Sequence, residues 1–202
     1  MSEVIALVLA AGRSRRFGSD KRYAQFDDGR TLLCATLDSI IDHCREIIVV
    51  VRPDDHLHHL LGLWIDHPAV TCCVAEHAAE GMGASLVDGY RFLDTSGRLK
   101  DDTLDGVMIM LADMPYIEAK TLRQLTHNVD PARLRIPCFG DVEDETNWGH
   151  PVIFGRHWLS LLGELEGDKG GRKLLKQHPE ACEYVSVDDP GVLKDIDRRE
   201  EM

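Results

Sequence analysis

Four runs of apolar, mostly β-branched residues recur along the chain, at 4–9, 47–51, 70–74 and 107–111, and each is apolar at consecutive rather than alternate positions. Strands that read this way are covered on both faces, which is the signature of a parallel sheet between helical layers. The segments between them carry the helical period instead. Leu33, Leu37, Ile40, Ile41 and Cys44 recur at helical spacing in and just beyond 31–43, and Leu57, Leu60, Leu61 and Trp64 form a stripe over 57–64, with Asp54 or Asp55 as the expected N-cap after Pro53. Leu86, Val87, Tyr90 and Leu93 lie on one side of a helix predicted over 83–93, and another is predicted over 118–128. This alternation predicts an α/β fold, doubly wound into a three-layer sandwich with a mostly parallel central sheet and ligands at the carboxyl ends of its strands.

From 134 to 154 the pattern changes. Two short apolar runs, 134–139 and 151–154, flank an acidic loop, and predict a small hairpin excursion from the main sheet. A helix over 157–162, a Gly-rich turn, a short basic helix over 170–177 and a last strand over 184–187 complete the expected elements.

At 202 residues, 44% hydrophobic and 29% charged, the sequence fits one domain spanning 1–202 with a core of its own. The formal charge of −12 repels nucleic acid and anionic membrane alike, so neither is an expected partner. No apolar stretch approaches the ~20 residues that span a bilayer, and the start lacks a basic region ahead of an apolar segment and cleavage site, so a cytoplasmic location is expected. Cys34, Cys44, Cys72, Cys73, Cys138 and Cys182 show no ligand spacing and are expected to be reduced core thiols. His56, His58 and His59 flank the apolar stripe of their helix and are expected on its solvated face. Asp141, Glu143, Asp144 and Glu145 are expected as solvated acids of a loop tip.

Against the acidic background, one basic segment stands out. The first run empties into Ala10-Ala11-Gly12-Arg13-Ser14-Arg15-Arg16-Phe17-Gly18-Ser19-Asp20-Lys21, where small residues let backbone N–H groups approach a ligand and four cations match several negative charges. Its spacing is neither that of a P-loop nor that of a dinucleotide fingerprint. A polyphosphate site follows. The run 107–111 exits into Ala112-Asp113-Met114-Pro115, a strand-end carboxylate suited to Mg²⁺, which takes one or two carboxylates together with phosphate oxygens. Glu80-Gly81-Met82-Gly83-Ala84-Ser85 opens a helix whose free N–H groups suit an anion or a base edge.

Taken in order, Leu9-Ala10-Ala11-Gly12-x-Ser14-x-Arg16-Phe17-Gly18-x-x-Lys21, Gly81-Met82-Gly83-x-Ser85-Leu86, Leu111-Ala112-Asp113-Met114-Pro115, Gly149-His150-Pro151, Gly167-Asp168-Lys169-Gly170 and Asp195-Ile196-Asp197 resemble the MobA-like nucleotidyltransferases, and within them the molybdenum cofactor cytidylyltransferases. The resemblance covers nearly the whole chain. It implies a Rossmann-like nucleotidyltransferase fold and the transfer of CMP from CTP, with Mg²⁺, to a molybdopterin phosphate. By that resemblance Arg16, Lys21 and Asp113 are the expected catalytic residues. Ala10, Ala11, Gly12, Ser14, Arg16, Lys21, Gly81, Gly83, Ser85 and Asp113 would bind the nucleotide. Asp113 and Asp197, the latter ahead of Asp195, would hold the metal, and His150, Asp168 and Lys169 would meet the acceptor. A molybdenum hydroxylase apoenzyme or its chaperone is the implied recipient. Two other readings compete: a nucleotidyltransferase acting on a sugar or polyol phosphate, and a non-catalytic nucleotide-binding chaperone for cofactor delivery.

Overall fold

A computed structural model describes residues 3–14, 17–165 and 171–202. Its central sheet has seven strands in the order β3-β2-β1-β4-β6-β5-β7: β1 Val4–Leu9, β2 Glu46–Val51, β3 Val70–Val74, β4 Gly106–Leu111, β5 Leu134–Cys138, β6 Val152–Gly155 and β7 Cys182–Ser186. Every pairing is parallel except those of β6, which runs antiparallel to both β4 and β5. The consecutive apolar runs have their reason in two cores. Ile5, Leu7, Ile48, Val50, Val107 and Ile109 face one way, while Val4, Ala6, Val8, Ile47, Val49, Met108 and Met110 face the other.

The first core is covered by α3 (Met82–Thr95), by a 3-10 helix over Arg156–Glu164 and by α5 (Arg172–Gln177). The second is covered by α1 (Leu32–Ile40), α2 (Leu57–Leu61) and α4 (Ala119–Thr126). Thr31 caps α1, its side chain accepting from the Cys34 N–H at 3.2 Å. The Thr31 helix is shorter than its periodicity suggests, because the chain tightens into a 3-10 turn over Ile41–His43.

Three expectations are corrected by the packing. The antiparallel pair exists, but β6 is inserted between β4 and β5 in the main sheet, so only the loop 139–149 departs from it. Neither Asp54 nor Asp55 caps α2; His56 occupies that position, and Asp55 is drawn into a buried ion network described below. Segment 157–162 is 3-10 rather than α-helical. Of the six cysteines, all free, only Cys73 and Cys138 are buried, and the other four are half-buried. Burial pushes the Cys44 thiol up to about 12 and those of Cys73 and Cys138 up to about 11. The acids of the 140–149 loop are exposed, and Asp141 and Asp144 accept from N–H groups of the loop's own turns.

The sheet reverses its order of addition at β1: β2 and β3 lie on one side, β4 on the other. Ligands of such sheets sit at the carboxyl ends of the strands that flank this switch. Because β6 runs backwards, its beginning, not its end, reaches that same rim, and it brings Gly149-His150-Pro151 there.

Candidate active site

The chain leaving β1 and the chain leaving β4 open a cleft of about 700 Å³ at the switch point. Of the expected residues, Ala11, Gly12, Ser14, Lys21, Gly81, Ser85, Asp113, Asp195 and Asp197 line it. Ser14 takes a left-handed conformation (φ 46°), and its hydroxyl accepts from the Lys21 N–H at 3.2 Å, which folds the loop back on itself. Gly81 sits at φ 129°, a backbone that only glycine adopts freely, and so turns the chain from the cleft wall into α3. Ser85, one turn in, is buried with its hydroxyl 3.3 Å from the Gly81 carbonyl.

At the floor, Lys21 Nζ lies 2.6 Å from Asp113 Oδ2, 3.1 Å from Asp197 Oδ1 and 2.8 Å from the Ile196 carbonyl. A lysine ammonium has three protons, and each has an acceptor here. The C-terminal segment is held in place for this, since the Ile196 N–H donates to the Asp113 carbonyl at 3.0 Å. Burial pulls the Lys21 pKa down, but Asp113 and Asp197 outweigh it and the net shift is upward, so the ammonium is charged at neutral pH. Burial raises the Asp113 carboxyl above its ordinary value, with Lys21 opposing and Asp195 adding to the rise. Asp113 Oδ1 is buried and has no hydrogen-bond partner among the described residues.

Other expected residues stand elsewhere. Ala10 is buried beneath the loop, its N–H donating to the Val50 carbonyl and its own carbonyl accepting from Arg22. Gly83 is buried inside α3 and does not line the cleft. His150 lines a neighbouring cavity. Arg16, Asp168 and Lys169 lie outside the described residues.

The sequence gives no sign of what supports the loop. Arg22, only 4% exposed, donates to both oxygens of Asp20 and of Asp55 at 2.6–2.9 Å and to the Ala10 carbonyl at 2.8 Å. Arg52 joins Asp20 and Asp55 from the end of β2. This network binds the loop after β1 to the turn after β2. On the opposite wall, the His77 N–H and ring both meet Asp88 of α3, at 2.8 and 2.9 Å, tying down the turn 78–81 that lines the cleft.

The model of the MobA-like NTP transferase domain matches residues 6–182. The chain belongs to this family. A MobA-like relative, the purine catabolism protein PucB of Bacillus subtilis, is 29% identical over 98% of this chain and 93% of its own. A probable molybdenum cofactor guanylyltransferase of Bacillus cytotoxicus is 25% identical over 92% of this chain and 80% of its own. Among solved structures, Rv0371c of Mycobacterium tuberculosis superposes with a TM-score of 0.78 at 25% identity, covering 99% of this chain and 95% of that one. A nucleotidyl transferase from Methanothermobacter thermautotroptrophicus does so at 0.77 and 22%, covering 98% and 94%, and shares the fold. The chain that carries this cleft at its β1/β4 switch point is therefore a MobA-like nucleotidyltransferase. Among the described residues, no helix is long and apolar enough to cross a membrane.

Proposed function

We propose that this chain transfers a nucleotidyl group from a magnesium-bound nucleoside triphosphate, CTP in our reading, to the phosphate of a molybdopterin-type acceptor, with release of pyrophosphate. The observation that carries the reading is the meeting of Lys21 with Asp113 and Asp197 in one cleft. Kinship with a probable molybdenum cofactor guanylyltransferase supports the acceptor class. That same name favours GTP as the second reading, whereas the Ala10-Ala11-Gly12 opening, which resembles the cytidylyl branch of the family, supports CTP.

The residues fit a magnesium ion. Among the described residues no three carboxylates, histidines or cysteines gather into a full cage, but Mg²⁺ needs only one or two carboxylates beside phosphate oxygens and water. Asp113, with its orphaned Oδ1, and Asp197 would hold it. Bound there, the ion would neutralise charge on the triphosphate. The acceptor phosphate has a second pKa near ~6, so it reaches the cleft largely ionised and asks for no general base. Its oxygen attacks the α-phosphorus, a new P–O bond forms, and the α–β bridge breaks toward pyrophosphate. Lys21 turns its protons from the carboxylates to phosphate oxygens, and the Ala11–Gly12 backbone and Ser14 position the nucleotide so that attack is in line. A molybdenum hydroxylase apoenzyme or its chaperone would receive the product.

The test is pyrophosphate release with each of the four nucleoside triphosphates and Mg²⁺, against molybdopterin and against a sugar 1-phosphate. Turnover with CTP and molybdopterin, lost in Asp113→Asn and weakened in binding and rate in Lys21→Ala, is the expected result. Release with GTP alone reverses the base. Release with the sugar phosphate alone overturns the acceptor, and nucleotide binding without release in every combination leaves a binding module.

A further inference from the structure

The two carboxylates beside Lys21 come from far apart in the sequence, Asp113 from the loop between β4 and α4 and Asp197 from the segment 189–201. Several bonds seat the second segment on the first. Asp189, only 2% exposed, accepts from the N–H groups of Gly191 and Glu118, both at 2.8 Å. Ile196 is fully buried, and its N–H donates to the Asp113 carbonyl at 3.0 Å. Tyr116 then grips the segment twice: its ring lies 4.3 Å from the Lys194 ammonium, and its hydroxyl donates to the Glu201 carbonyl at 3.2 Å.

Asp197 stands at the edge of this seat. Its side chain is 38% exposed, and an ion pair so open to water returns less than the entropy of fixing one residue's backbone. The Asp197–Lys21 contact therefore needs a backbone that is already in place. Glu201 supplies it. One carboxylate oxygen, Oε2, accepts from the Asp197 N–H at 2.7 Å and the Arg198 N–H at 2.9 Å, while the Glu201 N–H donates back to the Arg198 carbonyl at 3.1 Å and closes the 3-10 turn Arg199–Glu201. The N–H groups of Arg198 and Asp197 hold the Glu201 carboxyl below its usual range, so it is ionised at neutral pH.

We propose that Glu201 is a positioning residue: through the backbone of 197–198 it fixes the Asp197 carboxylate beside Lys21, so that the two carboxylates of the cleft floor present a single cation site. Its effect on the reaction rests on the nucleotidyl-transfer reading, whereas the placement of Asp197 is measured without it.

Lys21 reports that placement directly. Competitive acetylation of the full chain with acetic anhydride at pH 8, resolved peptide by peptide in a mass spectrometer, measures how freely its amine reacts, with the exposed Lys100 and Lys120 as internal references. Loss of one of its three acceptors should raise Lys21 labelling in Glu201→Ala about three- to tenfold, the worth of one partly exposed, charged hydrogen bond. Asp197→Asn should give the same rise and the double variant no more, because both changes remove one contact. Glu201→Gln keeps an acceptor oxygen and should stay within about twofold of the parent. A cooperative thermal melt establishes that each variant is folded. In the same samples the Mg²⁺ concentration for half-maximal pyrophosphate release should rise by a similar factor in Glu201→Ala and recover in Glu201→Gln, which a loss of stability alone would not produce. Unchanged Lys21 labelling in a folded Glu201→Ala, or rises that add in the double variant, overturns the proposal. Raised labelling with an unmoved Mg²⁺ requirement overturns the role in the reaction. A parent that releases no pyrophosphate with any of the four nucleoside triphosphates sinks the transfer reading, and the labelling still decides what holds Asp197.

Discussion

Replacing Arg22 with methionine removes the guanidinium from the network under the loop after β1 while keeping a similar apolar stem. Five hydrogen bonds of 2.6–2.9 Å disappear, four to carboxylate oxygens and one to the Ala10 carbonyl. Asp55 is only 6% exposed at its side chain and Asp20 27%, so both carboxylates lose a partner in a place where water replaces it poorly. Breaking a buried pair by deleting one member costs about 3–5 kcal/mol, mostly the penalty for the charge left behind. Arg52 still reaches both aspartates, so the loss belongs at the lower end, about 3 kcal/mol. For a chain of this size each kcal/mol moves the melting temperature by roughly 2–4 °C, so Arg22→Met should melt about 6–12 °C below the parent. Calorimetry and urea unfolding should agree on the value. The Arg22→Lys variant, with the charge but not the planar fork, should recover only part of it. A shift under about 2 °C, which is below 1 kcal/mol, would refute the reasoning, because it would mean that Asp20 and Asp55 are satisfied without Arg22.

Three further outcomes follow from other parts of the molecule. A Cβ at Gly149 would clash with the Val192 carbonyl oxygen, so Gly149→Ala should destabilise by about 1–3 kcal/mol in urea unfolding, and an unchanged midpoint would show that the 189–197 segment yields. The hydrogen bond from His77 to Asp88 raises the histidine pKa, so its stabilisation is fully present below the unfolded value near ~6.5 and fades as pH rises through the folded one. The melting-temperature gap between parent and His77→Ala should accordingly shrink from pH 6 to pH 9, and a constant gap refutes it. Cys73 and Cys138, with thiols near 11, should resist iodoacetamide at pH 8 in the folded chain and react on unfolding; rapid labelling of either in the native state would contradict their burial.

The parallel half of the sheet was legible because burial on both faces forces apolar side chains at every position of β1, of β2 after Glu46 and of β4 after Gly106, a pattern no exposed element produces. The insertion of β6 was not, since a four-residue strand paired with its chain neighbour β5 carries no mark of its second partner, β4, which lies far upstream. Asp55 illustrates a local signal beaten by a tertiary one: an aspartate before a helix reads as a cap, but the buried Arg22 and the half-buried Arg52 compete for it more strongly. Arg22 itself looks like one more cation beside Lys21, and nothing in its spacing separates a scaffold arginine from a ligand-facing one. In the cleft, Lys21 and Asp113 were readable from strand-exit chemistry, whereas Asp197 came through the resemblance alone, because a terminal Asp-Ile-Asp has no periodicity to place it. Ala10 misled for a simpler reason: a small residue next to a phosphate loop reads as open backbone, and here both its polar groups are already engaged.

The joining of Lys21 to Asp197 spans 176 residues. A ribosome working at roughly 5–20 residues per second makes the lysine about 10–35 s before the aspartate exists. During that interval the nascent polypeptide can assemble β1 to β4 and shape the loop after β1, yet it lacks one of the two carboxylates that flank the ammonium. Any product released early by stalling or cleavage upstream of Asp195 would inherit the same defect: half of an electrostatic lock, formed around a charge it cannot fully answer.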